Sequence, residues 1–187
     1  MVTMLGKAIA AATDGENNPI EFDVAYPLRA GIGETLQQIR SVHGDEIYLL
    51  PMSGKSCGGG IMQTPHPGSG CVVALQFEPP AQPRISQGEI ADLSQLALDQ
   101  IIIDADNYEV CAGASITLDQ LQCALAEALG SEYKVLGADL TSYAYAAVGA
   151  TFMTGGMGPQ RRYFSDSVIE VSLFDGEIEQ CLRGEAM

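Results

Sequence analysis

Two glycine-rich segments hold the residue types best suited to chemistry. The first is Pro51-Met52-Ser53-Gly54-Lys55-Ser56-Cys57-Gly58-Gly59-Gly60. Glycines admit positive φ and let backbone N–H groups converge on an anion without side-chain obstruction. The loop also carries two hydroxyls, on Ser53 and Ser56. The triplet Gly54-Lys55-Ser56 invites a P-loop reading, but a Walker A loop requires another glycine five positions before Gly54. That position is Leu49, inside an expected strand, so nucleotide triphosphate hydrolysis is excluded. A GxGxxG dinucleotide fingerprint is also missing from the segment. Taken singly, this segment reads equally well as a cofactor loop and as a flexible surface loop. The second segment runs from Val148 to Tyr163 and holds Gly149, Thr154, Gly155, Gly156, Gly158 and Pro159 before the pair Arg161-Arg162. The arginines suit solvated surface charge, a cofactor phosphate or local carboxylates. Gly137–Ser142 precedes it as another loop of small and hydroxyl residues.

No acid–base pair or nucleophile stands out. His43 ends an expected helix and His66 sits in a proline-rich loop, so both read as structural. Tyr143 and Tyr145 suit core or rim packing better than a catalytic role. Cys57, Cys71, Cys111, Cys123 and Cys181 lack any CxxC spacing, which disfavours a zinc knuckle. They read as reduced thiols filling apolar space in a cytoplasmic protein.

The elements that must position these loops follow from patterning. The chain has 187 residues, 47% of them apolar and 18% charged, enough for one good-sized domain or two joined subdomains. Against 9 basic side chains stand 24 acidic ones, a net charge of −15, which repels phosphate backbones and anionic lipid and excludes nucleic acid as a partner. The start, MVTMLGKAIAAATDG, lacks the pattern of a secretion signal and reads as a short amphipathic helix. No stretch approaches a membrane span. Ile20–Val24 reads as a short strand, with Pro27 and Gly31 punctuating the turn after it. Ile32, Leu36, Ile39 and Val42 recur at helical spacing and predict a helix over Gly33–His43, stopped by Gly44-Asp45. Glu46–Leu50 reads as a strand ended by Pro51, and Cys71–Leu75 as a buried strand. Glu78–Arg84, with three prolines, is a surface excursion or a hinge between subdomains. Leu93 to Val110 suggests two strands around the polar break Asp104–Asn107. Thr117 to Leu129 is the clearest helix: Thr117 caps it, Gln120 completes a capping box, and Gly130 terminates it. Val168–Phe174 alternates as a strand before the hairpin signal Asp175-Gly176. This order predicts an α+β chain.

The order of the pieces resembles the FAD-linked oxidase family, whose FAD-binding domain is called the PCMH or vanillyl-alcohol-oxidase type. In that family a helix and a strand enter a loop of the form G-T-S-x-x-G-G, which Gly54–Gly60 resembles with Lys55 at the threonine place. Tyr108–Ala114 followed by Leu118–Leu129 is similar to the family's strand ending in A-G and its leucine-bearing helix. Asp139–Ser142 is similar to its D-x-x-S loop, Ala147–Ala150 to its A-T-I-G-G, and Thr154–Arg161 to its T-x-x-x-G-P-x-R run. The likeness spans about Ala25 to Gly176 and is closest in flavour to the FAD subunit of glycolate oxidase.

The resemblance implies a two-subdomain PCMH-type fold truncated at its C-terminus. Its parts are an N-terminal extension (1–24), a first FAD-binding subdomain (25–80) and an incomplete second one (81–187). FAD would lie between the subdomains, held by Ser53, Gly54, Lys55, Ser56, Cys57, Gly59, Gly60, Asp139, Ser142, Gly149, Thr154, Gly155, Gly156, Gly158, Pro159 and Arg161. The family tethers FAD in some members through a histidine of the first loop; none stands there, which implies non-covalent binding. No metal is expected, since the cysteines and two histidines lack paired ligand spacing. The departures are a second loop continuing as Tyr163-Phe164-Ser165-Asp166, Gly149-Ala150 in place of Gly-Gly, and no room for a substrate domain after Asp175-Gly176. The expectation is a flavin-binding module or subunit of a 2-hydroxy-acid oxidoreductase, completed by a second subunit or by self-association. The alternative is a non-enzymatic descendant of the fold serving interaction or assembly.

Overall fold

The computed structural model describes residues 24–28, 32–45, 47–52, 71–90, 96–130, 143–157, 163–174 and 179–183. The expected N-terminal helix and the strand start at Ile20 lie outside them. The chain divides into two compact units, Met1–Glu78 and Pro79–Met187.

In the first unit, β1 (Val24–Leu28), α1 (Ile32–His43), β2 (Ile47–Met52) and β3 (Cys71–Phe77) follow one another. The three strands are parallel in the order β1-β3-β2, with Val24 opposite Val73 and Leu50 opposite Ala74. Pro27 and Pro51 do not end their strands; each lies inside one. Proline cannot donate to a sheet ladder, and it is tolerated here because both strands are outer ones while the central strand has none. In α1, Leu36 and Ile39 are buried but Val42 is 64% exposed, so the apolar stripe stops one turn short of the helix end. The Gly44 N–H donates to the Arg40 carbonyl and closes the last turn. Arg40 in that turn complements the helix dipole.

In the second unit, β4 (Arg84–Gln87) runs parallel to β5 (Gln100–Asp104), and β6 (Glu109–Ala112) runs antiparallel to β5. The polar break between β5 and β6 is a hairpin built on one carboxylate. Asp104 Oδ1 accepts the N–H groups of Asp106 and Asn107, and its Oδ2 accepts the Asn107 side-chain amide. These bonds hold the Asp104 carboxyl below its ordinary pKa, the Asn107 side chain contributing most.

Helix α2 (Leu118–Leu129) starts at Thr117 with the expected reciprocal cap. Thr117 Oγ1 accepts the Gln120 N–H, and Gln120 Oε1 accepts the Thr117 N–H. Its buried face, Leu121, Ala124 and Leu125, packs with Ile101, Ile103 and Ile116 into one core cluster. A short helix, α3 (Val148–Met153), and a 3-10 turn (Phe164–Ser167) follow. Strands β7 (Glu170–Phe174) and β8 (Glu179–Arg183) pair antiparallel on either side of the Asp175-Gly176 signal, with Val171 opposite Leu182. The expected strand start at Val168 moves to Glu170 because the 3-10 turn closes through a Val168 N–H bond to the Ser165 carbonyl. Helices with parallel, mixed and antiparallel sheets make an α+β chain.

Candidate functional site

The second glycine-rich segment is not a plain loop: its first half is α3. The extended residues before and into α3 lie along the segment that leads into α2. Leu118 N–H donates to Ala146 O at 2.9 Å, Val148 N–H to Ile116 O at 2.7 Å and Gly149 N–H to Ala114 O at 3.1 Å. Backbones this close leave no room for side chains at two positions. A Cβ on Gly149 would stand 2.8 Å from the Ala114 Cβ, and one on Gly113 would enter the carbonyl oxygens of Ala97 and Leu98. Ala97-Leu98, the stretch from β6 into α2 and the start of the second glycine-rich segment are thereby brought together, three pieces separated in sequence. Beside this junction the Ser115 hydroxyl is buried with no hydrogen-bond partner, a feature that residue type gives no warning of.

Beyond α3 the chain folds back on itself. Thr154 donates to the Ala150 carbonyl with both its N–H and its hydroxyl. Gly155, at φ +63°, donates to Phe152 O, and Gly156 donates to Thr151 O while accepting from Phe164 N–H. Three successive N–H groups are thus committed within the turn. At Gly155 the turn therefore offers a ligand unobstructed backbone rather than a donor; nothing stands within 4 Å of a Cβ built there. An antiparallel bridge pairs Met157 with Tyr163 across the fold-back.

The two sides of this region differ. Inward, Leu118, Ala146 and Phe164 are buried, with Tyr143, Val148, Phe152 and Val168 packed against them. The Tyr143 hydroxyl donates to Gln122 Oε1 at 3.0 Å, which makes it a packing residue. Outward, Met153 (72% exposed), Met157 (48%) and Tyr163 (50%) stand in solvent by the turn and its closing bridge, and Tyr145 (68%) in the stretch before α3. Tyr145 and Tyr163 therefore belong to a rim, not to the core.

Of the residues singled out in the sequence, Gly149, Thr154, Gly155 and Gly156 fall in this region, Gly149 as a packing residue and the other three in the turn. Ser53, Gly54, Lys55, Ser56, Cys57, Gly59, Gly60, Asp139, Ser142, Gly158, Pro159 and Arg161 lie outside the described residues.

Other groups among the described residues suit different roles. A cleft of about 360 Å³ beside the β5–β6 hairpin is lined by Glu89, Asp104 and Asp106 among others, a wall that repels anions. Arg84 and Asp99 form an ion pair at 2.6 Å, which lowers the Asp99 pKa. Burial first, and the nearby Glu170 carboxylate second, push the Cys111 thiol up to about 11, so it is an inert apolar filler. Among the described residues no group of three or more His, Cys, Asp or Glu side chains can hold a metal ion. No helix among them is long and apolar enough to cross a membrane. No protein-family model, no curated protein and no solved structure matches the chain.

Proposed function

We propose that this chain is an FAD-binding module of the PCMH type, the flavin-binding part of an oxidoreductase acting on 2-hydroxy acids. FAD is held non-covalently, and another chain supplies the groups that orient and deprotonate the substrate. The observation that carries the reading is the site around α3. A bare glycine turn ends α3, whose first residues are held by backbone bonds to the segment leading into α2, and large apolar side chains are left in water near it. A turn whose own N–H groups are satisfied suits the flat apolar part of a ligand, or its close backbone approach. Phosphate charge then falls to Arg161 and to the first glycine-rich loop, Ser53–Gly60. The flavin supplies the two-electron chemistry. On this reading the protein acts in the cytoplasm, binds no nucleic acid and has no membrane span.

The same exposed rim of Tyr145, Met153, Met157 and Tyr163 also suits a second reading, a non-enzymatic interaction protein that buries these side chains against a partner. Absorbance separates the two. Purified protein that is yellow, or that takes up one FAD per chain on titration, supports the flavoprotein. Acid precipitation should then release the flavin to the supernatant. A colourless protein that binds no added FAD returns the site to the second reading.

A further inference from the structure

We infer that Gln120 is a clasp for the proline-rich linker as well as a helix cap. The linker, Pro79–Pro83, opens the second unit. Its residues Pro79, Ala81 and Gln82 are exposed. Three of its five positions are proline, which has no N–H, so the segment cannot hold itself by a ladder of backbone bonds. It is held at both ends instead. At one end Gln120 Nε2 donates to the Pro80 carbonyl. At the other, Arg84 N–H donates to Asp99 O at 2.8 Å, and the Arg84 guanidinium grips the Asp99 carboxylate.

The Gln120 amide is oriented by chemistry. Thr117 N–H needs an acceptor and Pro80 O needs a donor, so Oε1 faces the first and Nε2 the second. The capping box uses only the acceptor half of the amide, a task glutamate performs equally well at this position. The donor half is left for the linker, and glutamine rather than glutamate is what the second task requires. Both Gln120 and Pro80 are half-buried, where a bond between them is shielded from competing water.

One consequence rests on the proposed flavin reading. A cofactor held by residues of the second unit loses less conformational freedom on binding when Pro79–Pro83, which opens that unit, is already ordered.

The test is a pair of substitutions with opposite signatures. Gln120→Glu keeps the acceptor for Thr117 N–H and removes the donor to Pro80. Thr117→Ala removes the cap and leaves the Pro80 bond. Backbone 15N relaxation at Ala81 and Gln82 reads the linker; amide exchange along α2 reads the helix. In the unsubstituted chain and in Thr117→Ala, the order parameters at Ala81 and Gln82 should be near about 0.85, and in Gln120→Glu they should fall below about 0.6. Exchange along α2 in Gln120→Glu should stay within about threefold of the unsubstituted chain, because the acceptor for the Thr117 N–H is kept. Unchanged order at Ala81 and Gln82 in Gln120→Glu overturns the clasp. FAD titration of the same proteins gives an independent result. Affinity several-fold weaker in Gln120→Glu supports the consequence, and equal affinity with a loosened linker overturns it. An unsubstituted chain that binds no FAD overturns the flavin reading and leaves the relaxation result standing.

Discussion

Glycine does three different jobs in the described part of this chain, and substitutions tell them apart. Gly113 and Gly149 are glycine because backbone passes where a Cβ would be. Gly155 is glycine because its φ of +63° is one that residues with a side chain rarely adopt. Gly156 completes that turn, its N–H donating to Thr151 O and its carbonyl accepting from Phe164 N–H. Gly149→Val should destabilise the fold by about 1–3 kcal/mol through overpacking against Ala114, read as a lowered urea midpoint. Gly156→Val should leave the midpoint nearly unchanged and weaken FAD binding at least about tenfold, a difference of about 1.4 kcal/mol. Unchanged affinity in a folded Gly156→Val protein would remove the turn from the site. The cysteines divide in the same way. Cys111 is buried, with its thiol pushed up to about 11, whereas Cys123 is exposed. At pH 8 a maleimide should label Cys123 within minutes and leave Cys111 unlabelled until the protein is denatured.

At the level of elements, polar groups decide where helices and strands begin. The β5–β6 hairpin turns on the Asp104 carboxylate, which binds two N–H groups and an amide. Its pKa is lowered in the folded chain. A lowered carboxyl contributes stability above its unfolded pKa, about 3.9, and that contribution is lost as pH falls through the folded value. Asp99, lowered by Arg84, acts in the same direction. Urea midpoints should therefore drop as pH falls below about 4. In Asp104→Asn the midpoint should be lower near neutrality and the acid-side drop shallower. An unaltered acid-side drop in that variant would show that the hairpin carboxylate does not govern acid stability. The legibility of elements follows from the range of their determinants. The Thr117–Gln120 cap and the Gly44 stop are bonds within one helical turn, so residue types a few positions apart announce them. The strands through Pro27 and Pro51 are not announced, because a proline's cost depends on whether its strand is central or outer, a property of the sheet.

For the whole molecule, the net charge of −15 and the exposed rim set the kind of association available. Tyr and Met side chains exposed together around one turn are the sort that a protein partner buries. On the flavoprotein reading, that partner also brings the substrate groups. The FAD-loaded chain without it should not be reduced by lactate, glycolate or related 2-hydroxy acids under anaerobic conditions, because proton abstraction needs a positioned base that a flavin does not provide. Rapid bleaching by any of these acids would show a whole active site within this one chain.

Local chemistry was enough to read α1, the capped α2, the β5–β6 break and the hairpin signal between β7 and β8, since each depends on periodicity or on bonds between near neighbours. It was also enough to mark the second glycine-rich segment as a place of unusual backbone freedom, which Gly155 uses at φ +63°. Tertiary contacts decided the rest. Gly149 is a packing residue only because Ala114 lies against it, and Val42 is exposed although it continues the apolar stripe of α1. Gln120 reads as a cap from its neighbours; its second bond needs Pro80, far off in the chain. The pattern that makes a helix is written in consecutive residues, whereas the atom that meets a glycine or an amide across the fold is set by packing that no local window contains.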